Sequence, residues 1–96
     1  MLNYISMQNL SYDELLYRQF FYTNAVYKRT PFKVLVYESE KGRAVVIVFS
    51  KTQTGGVVTR HLRFSTENAS KIAELIRDSF PLVDVQYLDN PPDDEM

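Results

Sequence analysis

The chain has no cysteine among its 96 residues. That excludes disulfide frameworks, thiolate nucleophiles and cysteine zinc sites, and it fits a reducing compartment. Histidine is nearly as scarce, with His61 standing alone. Long apolar runs are missing too: the longest unbroken stretch, Ala44 to Phe49, is far short of the roughly twenty residues of a membrane span. The N-terminus shows no basic segment followed by an apolar run. A soluble, cytoplasmic protein is the expectation, without membrane association. At 11.2 kDa one small domain fits and a second core does not. Small size also favours association into a homodimer.

What the chain does have is segregated charge. The net charge of −1 is the balance of three unequal blocks. Residues 28–63 carry Lys28, Arg29, Lys33, Lys41, Arg43, Lys51, Arg60 and Arg63 against only Glu38 and Glu40, a surplus of +6. Residues 64–96 carry Lys71 and Arg77 against eight carboxylates, a balance of −6. An asymmetry of this kind points to a polyanion site with an acidic counterpart in the same chain.

Local patterns predict an α+β domain over residues 1–88: an N-terminal helix, a three-stranded antiparallel meander, a second helix and a short final strand. Ser11 to Glu14 has the spacing of a capping box, with Leu10 and Leu15 placed as a hydrophobic staple. The helix that follows, from about Tyr12 to about Tyr22, has Leu15, Leu16, Gln19 and Phe20 along one side. Seven of the thirteen aromatic residues fall in the first 27 positions, which suggests a wide face buried against a sheet or a second subunit. Thr30-Pro31 closes this region, because the residue before proline is driven out of helical conformation.

Three strands are expected next, over Phe32–Glu38, Arg43–Ser50 and Val57–Phe64, joined by hairpins that use Gly42 and Gly55-Gly56. Alternation along the third places Val58, Arg60, Leu62 and Phe64 on one face and Val57, Thr59, His61 and Arg63 on the other. Ser65 offers a capping hydroxyl and Glu67 a carboxylate to a helix that runs to about Phe80 and stops at Pro81. Ala69, Ile72, Ala73, Ile76 and Phe80 form its apolar stripe. Val83 to Tyr87 alternates as a final strand. Residues 89–96, bearing Pro91-Pro92 and four carboxylates, are expected as a disordered acidic tail. The tail is placed to compete weakly for a basic site in the same chain, or to dock a protein partner.

No catalytic constellation is complete. His61, Ser65 and Glu67 lie close in sequence, but nothing marks them as a nucleophile, base and orienter that converge. Glu38 and Glu40, with Asp84, are the carboxylates a magnesium ion would use, yet two glutamates at a hairpin end are usually solvated. Gly55-Gly56 joins two strands, whereas a phosphate-cradling loop leads into a helix. No metal, cofactor or enzymatic activity is expected.

The basic block is more informative. Lys33, Lys41, Arg43, Lys51, Arg60 and Arg63 lie on three successive strands or their turns, together with His61. Tyr37 shares a strand face with Lys33, and Phe64 shares one with Arg60. Cations that follow phosphates, interleaved with rings that stack on bases, are the means by which single strands are bound. The plainer reading is that these cations solubilise one side of a sheet whose Tyr37 and Phe64 belong to the core.

The stretch RAVVIVFSKTQTGGVVTRHLRFSTENASKIAELI, within Phe32 to Phe80, resembles the positive-cofactor-four family of single-stranded-DNA-binding coactivators of transcription. A hydrophobic strand, a polar turn, a basic strand and a Ser/Thr-capped helix occur in that family's order over about half the chain. The resemblance implies that Lys51, Arg60 and Arg63 present cations to nucleic acid and that the helix from Thr66 contributes to a dimer. The element order is also similar to that of a double-stranded-RNA-binding domain, although the second helix opens with one lysine where that family has a cluster. The expectation is therefore a homodimeric, non-enzymatic binder of nucleic acid, single-stranded DNA before RNA, using Lys33, Tyr37, Lys41, Arg43, Lys51, Arg60, His61 and Arg63. Its candidate dimer interface is the aromatic first helix with the Ile72 and Ile76 stripe. The alternative from a different class is a module that recognises or inhibits a partner protein.

Overall fold

In the computed structural model, which describes residues 12–92, the element order is α1 (Tyr12–Tyr27), β1 (Thr30–Glu40), β2 (Arg43–Lys51), β3 (Val57–Ser65), α2 (Thr66–Ser79) and β4 (Asp84–Leu88). The sheet order is β3-β2-β1-β4. The first three strands form the antiparallel meander, while β4 lies parallel to β1, from Lys33 beside Asp84 to Tyr37 beside Leu88. The sheet is thus mixed: the expected antiparallel meander carries the expected final strand in parallel at its β1 edge. A chain that leaves β3, crosses the sheet as a helix and returns in the same direction must lie parallel to β3, and β1 is parallel to β3 as well.

β2 is an interior strand of the sheet, apolar from Ala44 to Phe49 and followed by the buried Ser50. Ala44, Val46 and Val48 face the helices and Val45 and Ile47 face the other way, all of them buried. Burying each Val or Ile contributes about 1.5–3 kcal/mol. On the helix side they join Phe20, Val34, Val36, Leu62, Phe64, Ala69, Ile72, Ala73, Ile76 and Val83 in the main core. Both helices therefore cover one face. Ile72 and Ile76 are consumed within the chain, so the expected role of this stripe in a dimer interface is overturned. On the opposite face Leu35, Tyr37, Val45 and Ile47 make a smaller cluster with Phe49 and Leu88 beside it, and neither helix contributes to it.

α1 differs from its expected form in length, facing and stop. It packs through Leu16, Tyr17, Phe20, Phe21 and Asn24, while Leu15 and Gln19 are exposed. Apolar and polar residues are mixed on every side of the helix, so tertiary packing and not local amphipathicity selects its inner face. It ends at Tyr27 because Lys28 takes a left-handed conformation (φ 55°) and the Arg29 N–H donates to the Asn24 carbonyl at 2.9 Å. That is the Schellman arrangement, with lysine where glycine is usual. Pro31 lies inside β1, which it can do because β4 reaches only from Lys33 to Tyr37 and leaves the start of β1 paired on one side alone. The capping box at Ser11, the Leu10 staple and the tail beyond Pro92 lie outside the described residues.

Asp13 binds the two helix starts together. Its Oδ2 accepts from the Asn68 side-chain amide at 2.8 Å and from the Ser65 N–H and hydroxyl at 3.2 Å each. The Ser65 hydroxyl in turn accepts from the Asn68 N–H at 3.3 Å, which is the N-cap of α2. Partial burial works to raise the Asp13 pKa, but these hydrogen bonds and the nearby charge of Arg43 outweigh it and hold the carboxyl below its ordinary value.

Candidate nucleic-acid interface

The face of the sheet opposite the helices is where most of the predicted cations meet. Alternation puts Arg43 and Lys51 of β2, and His61 and Arg63 of β3, on that face beside Lys33 of β1. All except the half-buried Lys33 are exposed. Along β2 they span roughly 26 Å from Arg43 to Lys51 at ~3.3 Å per residue. Two carboxylates share the face: Asp84 lies beside Lys33 and Glu40 opposite Arg43. Lys41 stands apart in the turn between β1 and β2.

Arg60 is not part of this group. It lies on the helix face, its guanidinium carbon 5.9 Å from the centre of the Phe20 ring. Two strand positions separated by an odd number point to opposite sides, so Arg60 and Arg63 cannot serve one surface. The two rings expected to stack on bases are also unsuited to it. Phe64 is wholly buried in the main core, and Tyr37 is 8% exposed in the smaller cluster.

Two other rings are better placed, and sequence reasoning missed both. Phe32 and Lys33 of β1 together face the single residue Phe49 of β2, since Pro31 pairs with Ser50 and Lys33 with Phe49. This bulge turns Phe32 to the same side as Lys33. The Phe32 and Phe49 rings then lie 6.4 Å apart, tilted by 53°, both half-buried. Lys33 Nζ is 5.6 Å from the centre of the Phe49 ring, and Lys51 Nζ is 5.6 Å from that of Phe32. Each strand supplies one ring and the cation over the other strand's ring. The only signal in the sequence was Pro31 at a strand start, which marks an irregular pairing without saying which side chain it re-aims.

The carboxylates and the glycine pair considered for chemistry are placed elsewhere. The Glu38 carboxylate accepts from the Gly42 N–H and the Thr66 hydroxyl, both at 3.3 Å, and Asp84 lies beside Lys33 near the other end of β1. The three carboxylates considered for magnesium therefore do not converge. No cluster of three or more His, Asp or Glu suited to a metal occurs among the described residues. Gly55 (φ 91°) belongs to a hairpin in which Thr52 N–H donates to the Gly56 carbonyl at 2.9 Å, and this loop presents no helix N-terminus to a phosphate. None of the described helices is long and apolar enough to cross a membrane.

Comparison of the chain with protein-family models, with curated proteins and with solved structures gave no significant match.

Proposed function

We propose that the protein is a non-enzymatic nucleic-acid-binding module that takes single-stranded DNA, ahead of RNA, on the sheet face opposite its helices. The observation that carries this reading is the pair Phe32 and Phe49 flanked by Lys33 and Lys51, on a face that continues past His61 to the cations Arg63 and Arg43. Half-exposed and held by packing, the rings offer a base a π-face whatever its identity once the ammonium groups that lie over them turn to the adjoining phosphates. A duplex hides its bases from such a platform. The test is a fluorescence-anisotropy titration with a labelled single strand and with the same sequence as a duplex. Tighter binding of the single strand supports the reading, and equal or preferential binding of the duplex contradicts it.

A second reading, a protein-interaction module, is favoured by a different surface. α1 leaves Leu15, Tyr22 and Val26 exposed on its outer side. An apolar stripe of this kind marks a protein contact more often than a nucleic-acid one.

A further inference from the structure

The outer side of α1 and the free edge of β3 form one continuous surface. β3 is the terminal strand of the sheet, nine residues long, and pairs only with β2 in an unbroken register from Val57 to Ser65. It has no proline or bulge to protect the edge, although proteins commonly protect long edges by such means. α1 rests chiefly on β3 and runs antiparallel to it, since Asp13 bonds to Ser65 at one end while Phe20 lies against Arg60 farther along. Leu15, Gln19, Tyr22 and Val26 follow one another at steps of four, three and four, which places them on one narrow stripe of the helix. The two grooves that separate α1 from α2 are lined by Asp13, Glu14, Tyr17, Arg18 and Phe21 from α1, so this stripe points away from α2. Leu15 is 42%, Tyr22 70% and Val26 50% exposed.

The stripe is self-complementary when a second helix runs against it in the opposite direction. Reversal about the midpoint between Phe20 and Phe21 sets Leu15 against Val26 and Gln19 against Tyr22. Because Phe20 lies against Arg60, the same two-fold axis passes close to the middle of β3 and permits the two β3 edges to pair antiparallel. An isologous interface requires one axis to satisfy every contact, and here helix and strand are centred together.

The geometry points to a homodimer in which α1 packs antiparallel on α1 and β3 pairs antiparallel with β3 of a second copy, joining two four-stranded sheets into one. The contact uses a surface opposite in function to the cationic face and does not depend on nucleic acid. With the axis near the middle of β3, the face carrying Thr59, His61 and Arg63 in one copy continues onto the same face of the other, so the cationic faces run on from one copy to the next.

Sedimentation velocity of the full chain at tens of micromolar, without nucleic acid, tests the association. Hydrogen exchange of the amides over residues 57–65 tests the strand pairing. The wild type is expected as a dimer with the β3 edge amides protected. Tyr22→Glu with Val26→Glu is expected to weaken dimerisation at least about tenfold, to speed exchange along β3, and to leave the circular dichroism spectrum intact because both positions are exposed. Leu15→Lys provides a second variant on the same stripe with the same expectation. A monomeric wild type, a dimer unaffected by both variants, or a dimer whose β3 edge amides exchange freely overturns the proposal.

Discussion

The Phe32 ring of β1 and the Phe49 ring of β2 lie 6.4 Å apart on the sheet face that the helices leave alone, and a lysine from each strand covers the ring of the other. A cation close to a ring it does not share a strand with ties the two strands through their side chains, at about 0.5–1 kcal/mol for an exposed pair. The same four residues are the densest meeting of rings and cations on this face. If stacking and charge act as separate contributions there, they separate under mutation. Phe32→Ala with Phe49→Ala is expected to weaken single-strand binding by about 1–3 kcal/mol per stacked base and to leave its salt dependence nearly unchanged. Lys33→Ala with Lys51→Ala is expected to flatten that dependence by about 0.7 in logarithmic slope for each phosphate released. Anisotropy titrations at three or more salt concentrations distinguish the two.

Arg60 and Arg63 lie on opposite faces of β3, so their replacement has unequal consequences. Arg63→Ala is expected to weaken oligonucleotide binding and reduce the salt slope. Arg60→Ala is expected to leave both unchanged, with a small loss of stability from the contact with Phe20. Equal losses in binding from the two single variants would show that the ligand does not lie on the face opposite the helices.

Much of this architecture was legible in the residues themselves. The apolar run of β2, the Gly42 turn, the Ser65 cap and the alternation that separates Arg60 from Arg63 are all local, and all have their expected form. What escaped is non-local. The pairing of β4 with β1 depends on where a helix crossing sets down a strand, which alternation within Val83 to Tyr87 does not encode. The bulge at Phe32 exists only as a mismatch between two strands, and so the rings chosen from sequence, Tyr37 and Phe64, were the ones the core had claimed. The facing of α1 was hidden because apolar and polar residues are mixed on every side of the helix, so its pattern favours the side of Leu15 and Gln19 no more than that of Phe21 and Asn24.

Asp13 gives the protein a defined acid sensitivity. A carboxylate whose folded pKa lies below its unfolded value contributes stability above the unfolded value and loses it as pH falls through the folded one. Asp13→Asn is therefore expected to cost about 1–2 kcal/mol at neutral pH, a figure kept low by the partial exposure of the site. The difference from wild type is expected to shrink as pH drops below the ordinary aspartate value of 3.8. Urea unfolding at pH 7 and at successively lower pH measures both parts, and a gap that widens on acidification contradicts the assignment.

Lys28 holds a backbone conformation that L-residues with a Cβ adopt at a cost, and it does so to end α1. Lys28→Gly removes that cost and is expected to raise stability by up to about 1 kcal/mol, the gain being limited by the greater freedom of glycine in the unfolded chain. Thermal unfolding at neutral pH tests this. A lower midpoint would show that the lysine side chain, and not its backbone, matters at this turn.

The central claim is that a single strand is held by cations along one sheet face, and the salt dependence of wild-type binding tests it most directly. Lys33, Arg43, Lys51 and Arg63 engaging about four phosphates predict that the logarithm of the affinity falls with the logarithm of salt concentration at a slope of roughly −3. A slope near zero, or no binding at low salt, would contradict the account and leave the exposed stripe on α1 as the working surface of the protein.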